Sequence, residues 1–204
     1  SPLLNHDAFL SVGHDEYWSA EQRTNVEAAR DSGVNLAFWS GNEVYWKVRW
    51  ETSIDGNGTP YRTMVCYKET WGGTPDPSEV GTGTWRDPRF ADPGQQPENA
   101  LTGTMFTVDS YRLDTITIPY EMSNFRFWRN TDIADLQPGQ TGSLVQNLLG
   151  YEWDSDVENG FRPAGLINLS LSTVSVDSYL RDYGTSIGSA DVTHSLTMYR
   201  AESG

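Results

Sequence analysis

Ala8-Phe9-Leu10-Ser11-Val12 and Val34-Asn35-Leu36-Ala37-Phe38-Trp39 are the two short apolar runs that decide the predicted fold. The stretch between them favours a helix, because Ser19 followed by Gln22 forms a capping box ahead of the helix formers in residues 20–30. Two strands joined by a helix normally lie parallel in one sheet, connected by a right-handed crossover. The opening third of the chain therefore predicts one strand-helix-strand unit of an α/β fold.

The hydrophobic pattern divides the chain into two parts. Residues 1–59 hold the strand-helix-strand unit, and residues 60–204 continue the same domain with short alternating runs that predict mostly antiparallel strands. Residues 71–100, rich in Gly, Pro, Asp and Thr, predict a long functional loop or lid. Other predicted elements are strands at 62–67, 104–108, 114–118, 124–128, 164–171, 173–176 and 195–199 and a short helix at 143–149.

Charge and composition exclude several classes of function. A formal net charge of -14 and a pI near 4.4 disfavour nucleic acid and anionic membranes as partners. No stretch approaches the roughly 18 apolar residues of a membrane span. The single cysteine, Cys66, excludes an internal disulfide and a cysteine-based metal centre. Serine-hydrolase and phosphate-binding motifs are absent from the sequence.

The strongest chemical signal is a short motif that occurs twice in the chain, which we call the sequence echo. Gly13-His14-Asp15-Glu16-Tyr17-Trp18 follows the first predicted strand, and Gly41-Asn42-Glu43-Val44-Tyr45-Trp46 follows the second. The loops after neighbouring strands of an open α/β sheet face one crevice, so we expect Tyr17 and Tyr45 to converge. The alternative is that both Tyr-Trp pairs plug the end of a sheet, with each hydroxyl bound to a backbone group.

A third candidate is Glu152, which lies between aromatic residues in Gly150-Tyr151-Glu152-Trp153-Asp154. Two phenols and a carboxylate form a hard oxygen donor set that suits a ferric ion, and a bound cation allows tyrosine to bind as phenolate. Burial would make an unpaired Glu152 costly, so an ion pair with Arg162 is an alternative. A weaker alternative is a histidine-carboxylate site on the three histidines, His6, His14 and His194.

Seven stretches carry a resemblance to a known family: Leu10–Ser19, Gly33–Phe38, Ser40–Trp46, Val65–Glu69, Thr84–Pro88, Pro97–Gly103 and Asn159–Gly165. Together they resemble the C-terminal catalytic region of the N,N-dimethylformamidase large (beta) subunit family, over nearly the whole chain. The resemblance implies a fold like the class I glutamine amidotransferases, which is flavodoxin-like. Because one strand-helix-strand unit is a poor fold alone, we expect strands to be missing at both ends or supplied by a partner chain.

The same resemblance implies an active site. Characterised members of the family hydrolyse an amide with a mononuclear non-haem iron held by two tyrosines and one glutamate. Carried over by motif, these ligands fall on Tyr17, Tyr45 and Glu152, with Glu43 and Glu69 as rivals for the glutamate. The glutaminase nucleophile is absent, since no cysteine follows the first strand.

The leading functional hypothesis is therefore an iron-dependent amidohydrolase acting on a small amide. His14, Glu16 and Asn42 are then expected to transfer protons or orient the substrate. We expect a secreted or extracellular bacterial protein, with the cytoplasm as the alternative, and a possible homo-oligomer. The rival is a non-catalytic secreted binding or structural module that contacts a glycan or peptide through the faces of Trp71, Trp85 and Trp128.

Overall fold

The computed structural model describes residues 1–90 and 95–203. Its strands are β1 (Ala8–Ser11), β2 (Tyr17–Ser19), β3 (Asn35–Phe38), β4 (Trp46–Glu51), β5 (Thr63–Val65), β6 (Met105–Asp109), β7 (Thr117–Pro119), β8 (Thr141–Ser143), β9 (Glu152–Ser155), β10 (Ile167–Asn168), β11 (Ser172–Leu180), β12 (Ile187–His194) and β13 (Thr197–Met198). Its α-helices are α1 (Ala20–Asp31), α2 (Asn99–Thr102) and α3 (Tyr120–Ser123). No helix in the described part of the chain is long and apolar enough to cross a membrane.

The opening strand-helix-strand unit forms where the sequence predicts it. β1 and β3 pair in parallel, with Ala8 opposite Asn35. α1 begins at the expected capping box, in which Gln22 N donates to Ser19 Oγ and Ser19 N donates to Gln22 Oε1. The buried Val26 belongs to an apolar cluster against which strand residues of β1 and β3 pack, so α1 covers one face of the strand pair.

The first Tyr-Trp motif begins strand β2, and the second spans the start of β4, with Tyr45 directly before the strand. β2 pairs with β4 in parallel, and β5 pairs antiparallel with the other edge of β4. Tyr17 lies opposite Trp46, not opposite Tyr45, its counterpart in the sequence echo. Opposed residues share one face of a sheet and successive residues alternate between faces. Tyr17 therefore shares its face with Trp46, and Tyr45 is one position out of register.

The predicted flavodoxin-like, class I glutamine amidotransferase-like fold is wrong. The described residues are richer in strand than in helix, and their strands form several small sheets. These residues contain no doubly wound parallel sheet. Such a fold needs several parallel strands with helices on both faces, but turns after β1 and β3 separate the parallel pairs into two sheets. Because α1 covers only one face of the β1–β3 pair, Leu10, Val12 and Trp39 remain exposed.

The remainder of the chain builds on an antiparallel sheet with the strand order β12-β11-β6-β9. β9, which carries Glu152, and β12 were not predicted, because their sequences are rich in polar residues. The predicted strand at 124–128 is wrong, since it holds the three-ten turn Arg126–Trp128, whose Trp128 indole donates to Leu169 O at 3.1 Å. The predicted helix at 143–149 is wrong as well, because this stretch leaves β8 without forming a helix.

The predicted loop at 71–100 is largely irregular, and its residues 91–94 lie outside the described part of the chain. The centre of this segment is buried and does not form a surface lid. Four consecutive residues there are each at most 2% exposed: Thr84, Trp85, Arg86 and Asp87. Trp85 joins the cluster beneath α1, where the guanidinium of Arg23 lies 4.8 Å from its ring centre. This segment is thus part of the core that supports β4.

Candidate active site

The turn after β3 packs directly against β9. A Cβ atom at Gly41 would lie 2.7 Å from Trp153 Cα and 2.8 Å from Glu152 O, so only glycine permits this approach. The next residues are strained, because Asn42 has φ 57° and Val44 has φ 55°, and a β-branched residue rarely adopts this region. Strain of this kind persists where the surroundings hold it, and it is concentrated at functional sites.

The turn after β1 lies beside the turn after β3. Val44 N donates to Asp15 O at 2.9 Å, and Trp46 N donates to Glu16 O at 2.6 Å. These backbone bonds continue the parallel pairing from the β1–β3 pair into the β2–β4 pair. The two halves of the sequence echo are therefore neighbours in space.

Asn42 joins two carboxylates from distant parts of the chain. Its Nδ2 donates to Glu16 Oε2 at 2.6 Å and to Glu152 Oε2 at 3.1 Å, which uses both of its amide hydrogens. Its backbone N donates to Asp154 Oδ1 at 2.8 Å, which fixes the turn to β9. Asn42 is 2% exposed, so the two carboxylates meet on a rigid, buried amide.

His14 forms the open side of this cluster. Its Nδ1 lies 2.7 Å from Gly41 O and 3.5 Å from Glu152 Oε2. Both neighbours are acceptors, so we assign the proton to Nδ1, which leaves the lone pair on Nε2 when the ring is neutral. The side chain is 42% exposed, so Nε2 can meet a molecule that arrives from solvent.

Tyr17 completes the cluster. Burial, the hydrogen bond to Glu16 and the charge of Glu152 raise the pKa of the Tyr17 hydroxyl well above its usual value. Tyr17 is therefore a neutral phenol beside these carboxylates. The polar centre now includes His14, Glu16, Tyr17, Asn42 and Glu152, all of which the sequence predicted.

Lys68 is the neighbour that sequence analysis missed. Its Nζ lies 5.2 Å from the ring centre of Tyr17, 4.9 Å from that of Trp46 and 5.2 Å from that of Trp71. Lys68 also has a positive φ of 50°, which turns the chain after β5. The only feature of the sequence that could have drawn attention to Lys68 is the rarity of lysine, because Lys47 and Lys68 are the only lysines among 14 Lys and Arg residues.

Tyr45 has a different set of neighbours. It is 1% exposed, and its hydroxyl has no hydrogen-bond partner among the described residues. The Arg86 guanidinium carbon lies 5.1 Å from its ring centre, the Phe106 ring is also 5.1 Å away, and Gly184 packs against the hydroxyl. The structure brings Tyr17 and Glu152 to one polar centre, whereas it places the Tyr45 hydroxyl beside a buried cation.

The rival glutamates serve other contacts. Glu43 is fully buried and accepts from Ser11 Oγ at 2.9 Å, and burial raises its pKa to about 8, so it is mostly protonated at neutral pH. Glu69 accepts from Asp76 N at 3.0 Å and Thr82 N at 2.7 Å. Within residues 1–90 and 95–203, no three His, Cys, Asp or Glu side chains form a metal-binding group by themselves. A metal at this centre would therefore need a phenolic or other additional ligand.

The architecture and this centre define a β-rich domain with a carboxylate, imidazole and phenol site that opens to solvent at His14. The chain belongs to the family described as N,N-dimethylformamidase beta subunit-like, C-terminal, whose model matches residues 1–204. The resemblance that the motifs predicted is thus confirmed. The family description points to a hydrolase-type enzyme and, through the words beta subunit-like, to a partner subunit. No curated protein matches the sequence.

Proposed function

We propose that this chain hydrolyses the C–N bond of a small amide at the two carboxylates that Asn42 bridges. The observation that carries the proposal is the meeting of Glu16 and Glu152 on one buried amide, beside the solvent-facing imidazole of His14. A carboxylate next to an imidazole is a common arrangement for proton transfer. The family description, which names an amide-cleaving enzyme, supports the same reaction class.

In this proposal, Nε2 of His14 accepts a proton from water as the water oxygen bonds to the amide carbonyl carbon. Glu152, 3.5 Å from Nδ1, stabilises the imidazolium that forms. The imidazolium then gives its proton to the leaving nitrogen as the C–N bond breaks, which releases an amine and a carboxylic acid. Lys68, whose ammonium lies 5.2 Å from the Tyr17 ring centre, contributes positive potential at the same centre.

We also propose that Glu16, Tyr17 and Glu152 hold a hard cation such as a ferric ion. Among the described residues, His14 is the only basic residue within ion-pair distance of these two carboxylates, so the carboxylates favour a cation. The phenol of Tyr17 adds a third hard oxygen donor. Such an ion supplies Lewis-acid activation of the carbonyl. Glu16 replaces Tyr45 in this set, because the Tyr45 hydroxyl is buried against Gly184 and its charged neighbours are Arg86, Glu98 and Asp182 rather than the two carboxylates.

The rival interpretation as a glycan- or peptide-binding module has less support. Trp85 and Trp128 are 1% and 5% exposed, so their faces are not available to a ligand. Trp71 is 59% exposed, but its ring packs against Trp46 and lies near Lys68 at the proposed site. A secreted location stays a prediction.

The direct test is amine release from N,N-dimethylformamide by the protein and two variants. Glu152→Gln keeps the size of the side chain but removes its charge, so we expect kcat/KM to fall about 100-fold or more, as for other groups that assist proton transfer. Glu158→Gln is the matched control, because Glu158 is an exposed acid outside the centre. Equal activity of both variants, or no turnover of any simple amide by the wild-type protein, would contradict the proposal.

A further inference from the structure

A small cavity is lined in part by Asp15, which lies between His14 and Glu16 in the turn after β1. Its volume is about 260 Å³, and its lining residues are Ser1, Leu3, Phe9, Asp15, Trp18, Gln22, Asn25 and Val26. Two of these lining residues, Phe9 and Trp18, meet edge to face, with ring centres 6.2 Å apart and planes at 84°. Val26 and Leu3 extend this apolar surface. The cavity is just below the usual range for small-molecule sites of about 300–1,000 Å³, so it suits a ligand with a single ring.

One acidic side chain stands at the wall of this apolar space. Ser11 Oγ lies 3.4 Å from Asp15 Oδ2, and the Trp18 indole N–H faces the same carboxylate without reaching close hydrogen-bond geometry. No Lys, Arg or His of the described residues lies within ion-pair distance of Asp15. An ammonium group in the cavity would pair with the exposed Asp15 carboxylate and would also be attracted to the aromatic rings.

We propose that this cavity binds a small aromatic ammonium ion, with its ring against Phe9, Trp18 and Val26 and its ammonium group on the Asp15 carboxylate. The two parts of the ligand match the two parts of the cavity, because the apolar rings favour an apolar body and the acid favours a cation. The inference does not rest on the amide-hydrolysis proposal, since none of the cavity residues belongs to the His14 and Asn42 cluster.

The test uses benzylammonium as the probe, with binding measured by calorimetry and by the shift of the Trp18 indole resonance. We expect saturable binding that Asp15→Asn weakens about tenfold, because the variant removes the charge that the ammonium group would contact. Asp7→Asn is the matched control, since Asp7 is an exposed acid of the same region that does not line the cavity, and it should bind like the wild type.

A second comparison removes the charge from the ligand instead of the protein. Benzyl alcohol has nearly the same shape as benzylammonium, and we expect it to bind about tenfold more weakly to the wild type and equally to wild type and Asp15→Asn. Equal affinity of the wild type for both probes, or no saturable binding of benzylammonium, would overturn the proposal. This comparison remains decisive even if Asp15→Asn is unstable.

Discussion

Asn42 shows how a single residue can determine the geometry of the centre. Its positive φ of 57° aims the side-chain amide at Glu16 and Glu152, while its backbone N is held by Asp154. Asparagine tolerates this backbone region better than most residues. The same turn contains Val44, which does not, so the surrounding packing must hold the turn in place.

The metal proposal separates the two tyrosines that the sequence treats as equivalent. We expect Tyr17→Phe to lose bound iron and the phenolate-to-ferric absorption band, because its hydroxyl belongs to the carboxylate centre. Tyr45→Phe should keep both, and it should change the free energy of unfolding by no more than about 1 kcal/mol, since it removes a hydroxyl without a partner among the described residues. Metal analysis and visible spectra check this, and loss of the band in Tyr45→Phe alone would contradict it.

Glu43 makes stability depend on pH. Burial raises its pKa from 4.5 to about 8, so between these values the folded state keeps a proton that the unfolded state releases. Its contribution to stability is therefore fully present below about pH 4.5 and is lost as pH rises towards 8. Glu43→Gln resembles the protonated acid at every pH. The variant should match the wild type at pH 4 and exceed its unfolding free energy by on the order of 4 kcal/mol above pH 8.

Denaturant unfolding at several pH values measures this difference, and other titrating groups largely cancel between variant and wild type. Glu158→Gln provides the control for the loss of one carboxylate, because Glu158 is exposed. A Glu43→Gln difference that is constant from pH 4 to pH 9 would show that Glu43 is charged in the folded protein.

At this scale the sequence predicted the residue types of the centre but not their partners. The echoed motifs led to His14, Glu16, Tyr17 and Asn42, because each follows a strand, and the aromatic context led to Glu152. The register of β2 and β4 was not predictable, since it depends on positive φ angles in the turn at 39–45. Lys68 was missed because only the folded chain brings it over Tyr17.

Among the elements, the contact of the β3–β4 turn with β9 is the one that builds the centre. Gly41→Ala would push its Cβ into Trp153 Cα and Glu152 O, and neither backbone atom can move without shifting β9. We expect this variant to lose about 2 kcal/mol or more of stability and most of its amide hydrolysis. Gly150→Ala is the matched control, because nothing lies within 4 Å of its added Cβ.

Thermal unfolding and amine release measure the two effects of Gly41→Ala. If this variant were as stable and active as Gly150→Ala, the close approach of the turn to β9 would not matter.

Elements with local signals were the ones predicted from sequence. α1 has its capping box, and β1 and β3 have apolar runs, so all three appear as expected. Strands with polar residues, such as β9 and β12, carry too little alternation to be recognised. The overall fold was predicted wrongly because one strand-helix-strand unit says nothing about which strands join it, and here β5 pairs antiparallel to β4 instead.

In the molecule as a whole, a buried ion pair holds the irregular segment between β5 and α2 against β6. Arg86 Nε donates to Glu98 Oε2 at 3.1 Å, a second guanidinium nitrogen contacts the same carboxylate, and Arg86 also donates to Phe106 O at 2.6 Å. Glu98 is fully buried, so Arg86→Met would leave its charge uncompensated and cost about 3–5 kcal/mol.

The double variant Arg86→Met/Glu98→Leu removes both charges and should recover most of that loss. Urea unfolding midpoints provide the measurement. A double variant less stable than Arg86→Met would show that the other hydrogen bonds of Arg86 dominate.

The central claim is that the Asn42 amide holds two carboxylates in a hydrolytic centre, and kcat/KM for N,N-dimethylformamide hydrolysis by Asn42→Gly tests it most directly. Glycine keeps the positive φ and removes only the amide, and Asn147→Gly, at an exposed asparagine with φ 62°, is the matched control. We predict a fall of about 100-fold or more for Asn42→Gly and none for Asn147→Gly, with both proteins folded. Full activity of folded Asn42→Gly would contradict the account.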